Sequence, residues 1–254
     1  MAGITPIMSK AKNKSKKKKL AKQKTANQKT RSEVDTYHDD FPACQIYLIT
    51  PPTIEDVDAF ANTLEKVLAA VSIGCVQIRL KDTSDENIIA ISERLVPLCH
   101  AHGTMVLIND SPEIAAHTGA DGVHLGQSDM DINLAKNMLG ADAIIGVTCH
   151  NSRELAFKAG SDDASYVAFG AFFESTTKPE AKLADLEILS WWNEAIEIPC
   201  VAIGGITTAN AQSVIAAGAN FIALSSGVWN HPKGAVQAVQ ELHALCEAHT
   251  PPPL

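Results

Sequence analysis

The chain has 254 residues, 46% of them hydrophobic but only 5% aromatic, enough apolar material for one aliphatic core without a second domain. Its net charge of -8 conceals an asymmetry: residues 1–31 carry 11 of the 21 Lys+Arg and none of the 29 acidic residues, leaving a body of net charge −19. A body so acidic disfavours nucleic acid and anionic membrane as ligands, and no stretch approaches the roughly 20 apolar residues of a membrane span.

Residues 1–40 differ from the rest in composition, with runs such as Lys16-Lys17-Lys18-Lys19 and few large apolar side chains after Met8. Such a segment buries too little surface to offset its ordering entropy, so a disordered basic tail is expected, with residues 41–254 forming the folded domain. A purely solubilising tail and an electrostatic contact with a polyanion both fit this charge. The six cysteines are widely spaced with no C-x-x-C pair, and read as small buried apolar residues in a reducing, cytoplasmic compartment.

From Cys44 onward, short β-rich apolar runs alternate with segments of helical period, the pattern of βα units feeding a parallel sheet. Strands are expected near Gln45–Ile49, Cys75–Leu80, Met105–Asn109, Gly122–Leu125, Ala143–Thr148, Ser165–Phe169, Cys200–Ile203 and Phe221–Ser225. The first helix is marked by Val57, Phe60, Ala61, Leu64, Val67, Leu68 and Val71 on one face, with a start at Thr53-Ile54-Glu55-Asp56. Thr83 to Glu86 and Asn151 to Glu154 have capping-box spacing, and Pro97 should kink or shorten the helix it falls in. Glycines at 74, 103, 119, 140, 160 and 218 stand where each helix should stop, as a left-handed residue would. Eight units of this length predict a single (β/α)₈ TIM barrel. The doubly wound alternative lacks a G-x-G-x-x-G after its first strand.

In such a barrel the chemistry sits at the C-terminal ends of the strands, so the polar residues there are informative. Gln77, Arg79 and Lys81 alternate at the end of the second strand and share one face, which suits an anionic ligand; a structural ion pair between Arg79 and Asp110 is the alternative. Asp110 ends the third strand and Asp129 follows the fourth, two carboxylates fit for Mg²⁺ or for helix caps. Ile203-Gly204-Gly205-Ile206 and Ser225-Ser226-Gly227 follow the last two strands, where backbone N–H groups commonly bind phosphate. Ser175, Thr177 and Lys178 lie on the long loop after the sixth strand and suit a lid over phosphate oxygens. His124 and His150 end strands as acid/base or pocket-wall candidates.

These motifs together resemble the thiamine phosphate synthase family over most of residues 42–247. Gln77-Ile78-Arg79-Leu80-Lys81 resembles its Q-x-R-x-K strand, while Ile108-Asn109-Asp110 and Ala120 to Asp129 resemble its two metal-aspartate segments. Gly146 to His150 is similar to its G-x-S-x-H with Thr148 for Ser, and Ile198 to Ile206 resembles its thiazole-phosphate segment. One segment departs: where the family has G-P-x-Y-P-T-x-T-K, residues 170–178 lack both prolines and carry Glu174 in place of the second.

The resemblance implies that hydroxymethylpyrimidine diphosphate loses diphosphate and the thiazole nitrogen attacks the resulting pyrimidine methyl cation, giving thiamine phosphate. It implies Mg²⁺ on Asp110 and Asp129, with Arg79, Lys81 and Lys178 stabilising the departing charge. Gln77 would orient the pyrimidine; Asn109 and Thr148 would hydrogen-bond the diphosphate or ring. Gly205, Ser225 and Ser226, with Ser175 and Thr177, would hold the thiazole phosphate. Two rival readings remain open: a thiazole tautomerase using His150 as acid/base, and a catalytically weak phosphate-binding paralogue recruited elsewhere by its tail. A homo-oligomer is compatible with the sequence.

Overall fold

The computed structural model describes residues 44–174 and 183–249. The basic tail and the candidate lid residues Ser175, Thr177 and Lys178 lie outside the described residues.

Eight parallel strands close into one barrel in sequence order: Gln45–Ile49 (β1), Cys75–Ile78 (β2), Met105–Asn109 (β3), Gly122–Leu125 (β4), Ile144–His150 (β5), Tyr166–Gly170 (β6), Cys200–Ile203 (β7) and Phe221–Leu224 (β8). β1 closes the ring by pairing with β8, Gln45 opposite Phe221 through Leu48 opposite Leu224. The connecting helices are Val57–Ala70 (α1), Asp85–Ala101 (α2), Pro112–Thr118 (α3), Ile132–Leu139 (α4), Arg153–Ser161 (α5), Glu187–Ala195 (α6) and Ala211–Ala216 (α7), with Ser226–Trp229 (α8) and Ala235–Ala248 (α9) after β8. The TIM barrel expected from the alternating pattern is the observed fold.

Strand alternation sorts the core into two layers. Ile46, Leu48, Val76, Ile78, Val123 and Ile145 point outward into the strand–helix layer, which α1 joins through Ala61, Leu64, Val67 and Leu68. Tyr47, Cys75, Leu107, Ile144, Tyr166 and Phe221 point inward and fill the barrel axis. Both faces of every strand are therefore covered, which is why the strands read as near-continuous apolar runs. Each buried large aliphatic side chain contributes about 2 kcal/mol.

Local departures from the sequence reading have physical causes. β2 ends at Ile78 rather than Leu80 because the Thr50 side chain replaces a ladder partner: its hydroxyl accepts from Arg79 N and donates to Arg79 O. β5 runs two residues further, to His150, with a bulge between Thr148 and His150. Neither expected capping box forms, because the N-caps lie one residue later, at Ser84, which makes no side-chain cap bond, and Ser152, which accepts from Leu155 N, so that Glu86 and Glu154 fall one position short of N3. Asp56 caps α1 at the end of the predicted start. Pro97 does not shorten α2, which continues to Ala101; the Glu93 carbonyl that Pro97 leaves without an N–H belongs to an exposed residue. Gly74 and Gly160 are not left-handed. Gly160 lies inside α5, and Gly74 is required by close approach, because a Cβ there would stand 2.7 Å from Gln45 Oε1.

Candidate active site

The inward-facing residues of the strands change character at the C-terminal end of the barrel. Cys75 is followed by Gln77, Leu107 by Asn109, Gly122 by His124, Gly146 by Thr148 and Ala223 by Ser225, so the apolar axis gives way to a ring of polar groups. Gln77 is 2% exposed, and its Nε2 has no hydrogen-bond partner among the described residues. A buried amide donor left without a partner costs on the order of 1–3 kcal/mol, a cost a ligand would remove.

Beyond Ile78 the chain stays extended beside the end of β1, with Thr50 N donating to Gln77 O and Lys81 N to Pro52 O. Arg79 and Lys81 thus keep the inward parity of Gln77, while Leu80 packs outward against the strand–helix core. Arg79 makes no ion pair among the described residues, so the structural-pair alternative with Asp110 lacks support. Its guanidinium is nonetheless close enough to act electrostatically on both Asp110 and His124.

Asp110 sits at φ 64, a left-handed conformation that turns its side chain out of the strand path. Its backbone is tied to β4 through Asp110 N donating to His124 O at 2.8 Å. Partial burial pushes its carboxyl up to about 6; Asp129, within hydrogen-bonding reach, adds to the rise, and Arg79 and Asn109 oppose it. Asp129 is anchored in turn, since Oδ2 accepts from Gly126 N at 2.6 Å. The repulsion between two carboxylates crowded at adjacent strand ends is relieved either by a proton or by a cation between them. A hard divalent ion that takes one or two carboxylates and completes its shell with water and phosphate oxygens suits this pair, and the described residues bring no third His, Cys, Asp or Glu to it.

A second part of the mouth lies where β7 and β8 finish. Gly204 and Gly205 have φ 99 and 66, and a Cβ on Gly205 would collide with the carbonyls of Phe173 and Glu174. Glycine is needed there because the β6 loop lies against it, with Phe172 N and Phe173 N donating to Ile203 O and Gly204 O. Ser226 is exposed at the start of α8. Ser225 spends its hydroxyl on Thr50 O at 3.1 Å, which joins the first and last strand ends.

The family model for thiamine monophosphate synthase matches residues 46–228. The chain belongs to the thiamine monophosphate synthase family. It is 52% identical over 202 residues to the thiamine-phosphate synthase of Rhodospirillum centenum, covering 80% of this chain and 97% of that protein. It is 46% identical over 211 residues to that of Hyphomonas neptunium, covering 82% and 96%. Among solved structures it is similar to thiamine phosphate pyrophosphorylase from Pyrococcus furiosus, with a TM-score of 0.71 and 29% identity, covering 81% of this chain and 96% of that one.

Within this family fold, Gln77, Arg79, Lys81, Asn109, Asp110, Asp129 and Thr148 all stand at the same end of the barrel, as do Gly205, Ser225 and Ser226. His150 ends β5 at the same end of the barrel, beyond the bulge, exposed and with φ 53. Sequence reasoning missed Tyr47 and Tyr166. Their hydroxyls are 2.9 Å apart on the barrel axis, and Tyr166 Oη is 2.7 Å from His124 Nδ1. His124 Nε2 is 2.8 Å from Thr148 Oγ1, and burial, aided by the Arg79 charge, lowers the imidazole to about 4, leaving it neutral at physiological pH. The available signal was a hydroxyl-bearing aromatic at an inward strand position, in a chain with 3 tyrosines.

Proposed function

We propose that this chain joins hydroxymethylpyrimidine diphosphate to a thiazole phosphate, releasing diphosphate and thiamine phosphate. The observation that carries the reading is the meeting, at one mouth, of an unpartnered buried Gln77 amide, the Arg79 cation and the crowded Asp110–Asp129 pair. The amide matches a heterocycle's edge, and the charges match a diphosphate with its counter-ion.

Gln77 and Asn109 orient the pyrimidine so that its methylene carbon faces the thiazole nitrogen. Arg79 and Lys81, with Lys178, meet the negative charge that grows on the diphosphate oxygens as the carbon–oxygen bond breaks. Asp110 and Asp129 would hold Mg²⁺, which when bound supplies positive charge to the same leaving group. Thr148 hydrogen-bonds the pyrimidine or its diphosphate. The backbone around Gly205 and the Ser226 hydroxyl, with Ser225, Ser175 and Thr177, hold the thiazole phosphate. The thiazole nitrogen attacks the pyrimidine methyl cation with its lone pair, so bond making needs no covalent enzyme nucleophile and no proton transfer. Positioning of the two partners supplies the remaining acceleration.

The tautomerase alternative needs His150 as acid/base and leaves the carboxylate pair and the Gln77 amide without a task. Among the described residues no helix is long and apolar enough to cross a membrane. The deciding experiment incubates the purified chain with both substrates and Mg²⁺ and follows thiamine phosphate. No product under conditions that keep the barrel folded overturns the proposal.

A further inference from the structure

Tyr47, Tyr166, His124 and Thr148 form one hydrogen-bonded line from the barrel axis to the mouth. Tyr47 and Tyr166 are 2% and 0% exposed and His124 7%, whereas Thr148 is half-buried. Buried polar hydrogens need acceptors, so the hydrogens of this line can be counted. Three hydroxyls and one neutral imidazole bring one hydrogen each, and the line contains three links. One hydrogen is left over. It cannot be that of the imidazole, because both ring nitrogens are occupied by links.

The spare hydrogen therefore belongs to Tyr47, Tyr166 or Thr148. On either tyrosine it would point into the barrel interior, among Ile49, Leu107, Val201 and Phe221, with only the Cys75 thiol nearby as a weak acceptor. On Thr148 it points into the mouth, where water or ligand accepts it. The lowest-cost arrangement runs in one direction: Tyr47 donates to Tyr166, Tyr166 donates to His124 Nδ1, and His124 Nε2–H donates to Thr148 Oγ1.

We infer that Tyr166 and His124 are positioning residues: the Tyr166 hydroxyl holds His124 as its Nε2–H tautomer, which turns the Thr148 hydroxyl into a hydrogen-bond donor facing the mouth. The ligand atom it meets must be an acceptor, an unprotonated pyrimidine ring nitrogen or a diphosphate oxygen. The identity of that ligand rests on the synthase reading; the tautomer does not. The apolar interior thus sets the sign of a hydrogen bond at the mouth.

The test begins with nitrogen NMR of the ligand-free full chain labelled with ¹⁵N-histidine, the His124 signals being those lost in His124→Gln. Expected are a protonated Nε2 and an unprotonated Nδ1; the opposite tautomer overturns the inference whatever the enzyme's activity. The second part measures binding of two probes, hydroxymethylpyrimidine alone and inorganic diphosphate with Mg²⁺. Thr148→Val should weaken one of them by roughly 5- to 10-fold while Thr148→Ser does not, and the affected probe identifies the acceptor. Tyr166→Phe should weaken the same probe, and Tyr166→Phe combined with Thr148→Val should be no weaker than Thr148→Val alone. A purely structural role for Tyr166 would make the two losses additive and would overturn the inference. Should Tyr166→Phe not fold, His124→Gln takes its place in the same cycle. If the tautomer is as expected but neither probe binds the unaltered chain, the synthase reading fails, and the role of Thr148 as donor to its ligand fails with it.

Discussion

Gly146 on β5 lies directly against the ring of Tyr166 on β6: a Cβ at residue 146 would overlap Tyr166 Cζ and its hydroxyl. The absence of a side chain at 146 is what lets Tyr166 reach across to His124. Gly146→Ala is therefore expected to cost about 3 kcal/mol through overpacking and to displace the tyrosine. Thermal melts should show the loss, and binding of the pyrimidine substrate should weaken beyond what the remaining folded fraction accounts for. An alanine variant with unchanged melting and binding would sink this account.

The Asp110–Asp129 pair predicts opposite effects with and without metal. In Mg²⁺-free buffer, Asp110→Asn or Asp129→Asn removes repulsion between neighbouring carboxylates and should leave the melting temperature unchanged or raised. Added Mg²⁺ should stabilise the unaltered chain but neither variant. Thiamine phosphate formation should fall by roughly 100-fold or more in both. Full metal-independent turnover of either variant contradicts the assignment.

His124 makes stability depend on pH in a defined direction. Its folded value of about 4 lies below the unfolded 6.5, so on acidification the unfolded chain takes up the proton first. The stabilisation is complete above about pH 6.5 and is lost as pH falls toward 4, amounting to about 2 kcal/mol between pH 7.5 and pH 5. Asp110, raised to about 6, acts in the opposite sense. Comparing the unaltered chain with His124→Gln cancels that contribution. Denaturant titrations at the two pH values should show the larger loss in the unaltered chain, and equal losses would remove His124 as the cause.

At the β6 loop, Glu174 is exposed, and it is its main-chain carbonyl that lies against Gly205. A solvated carboxylate acts weakly on a diphosphate, so Glu174→Gln should change kcat by less than about twofold, with any change vanishing at high salt. Lys178→Ala should instead lower kcat more than it raises KM, because the charge it meets grows in the transition state. Steady-state kinetics of the two variants separates these effects; unaltered kinetics in Lys178→Ala would take the loop out of diphosphate binding.

Every described element of the barrel begins at or after Gln45, and the basic tail precedes it. Deleting residues 1–40 should leave kcat and Tm nearly unchanged. Any binding of the full chain to heparin should fall steeply with added salt and disappear on deletion. An inactive truncated chain would place part of the machinery in the tail.

All eight strands were legible because periodic apolar runs and intervening glycines are local properties, and each observed strand falls within two residues of its expected limits. The mouth residues were legible for a related reason: a parallel barrel puts the end of each strand at one face, so Gln77, Asp110, Asp129 and Thr148 had to share it. Sequence period assigns Tyr47 and Tyr166 to the inward face but says nothing of what their hydroxyls meet. That contact joins residues separated by 119 positions, and the Ser225–Thr50 bond spans 175. Closure of the ring decides such pairings, because only the closed register brings those two hydroxyls across the axis and sets β8 beside β1. The need for glycine at 146 belongs with them: it arises from the volume of a ring on the neighbouring strand, which no local pattern records.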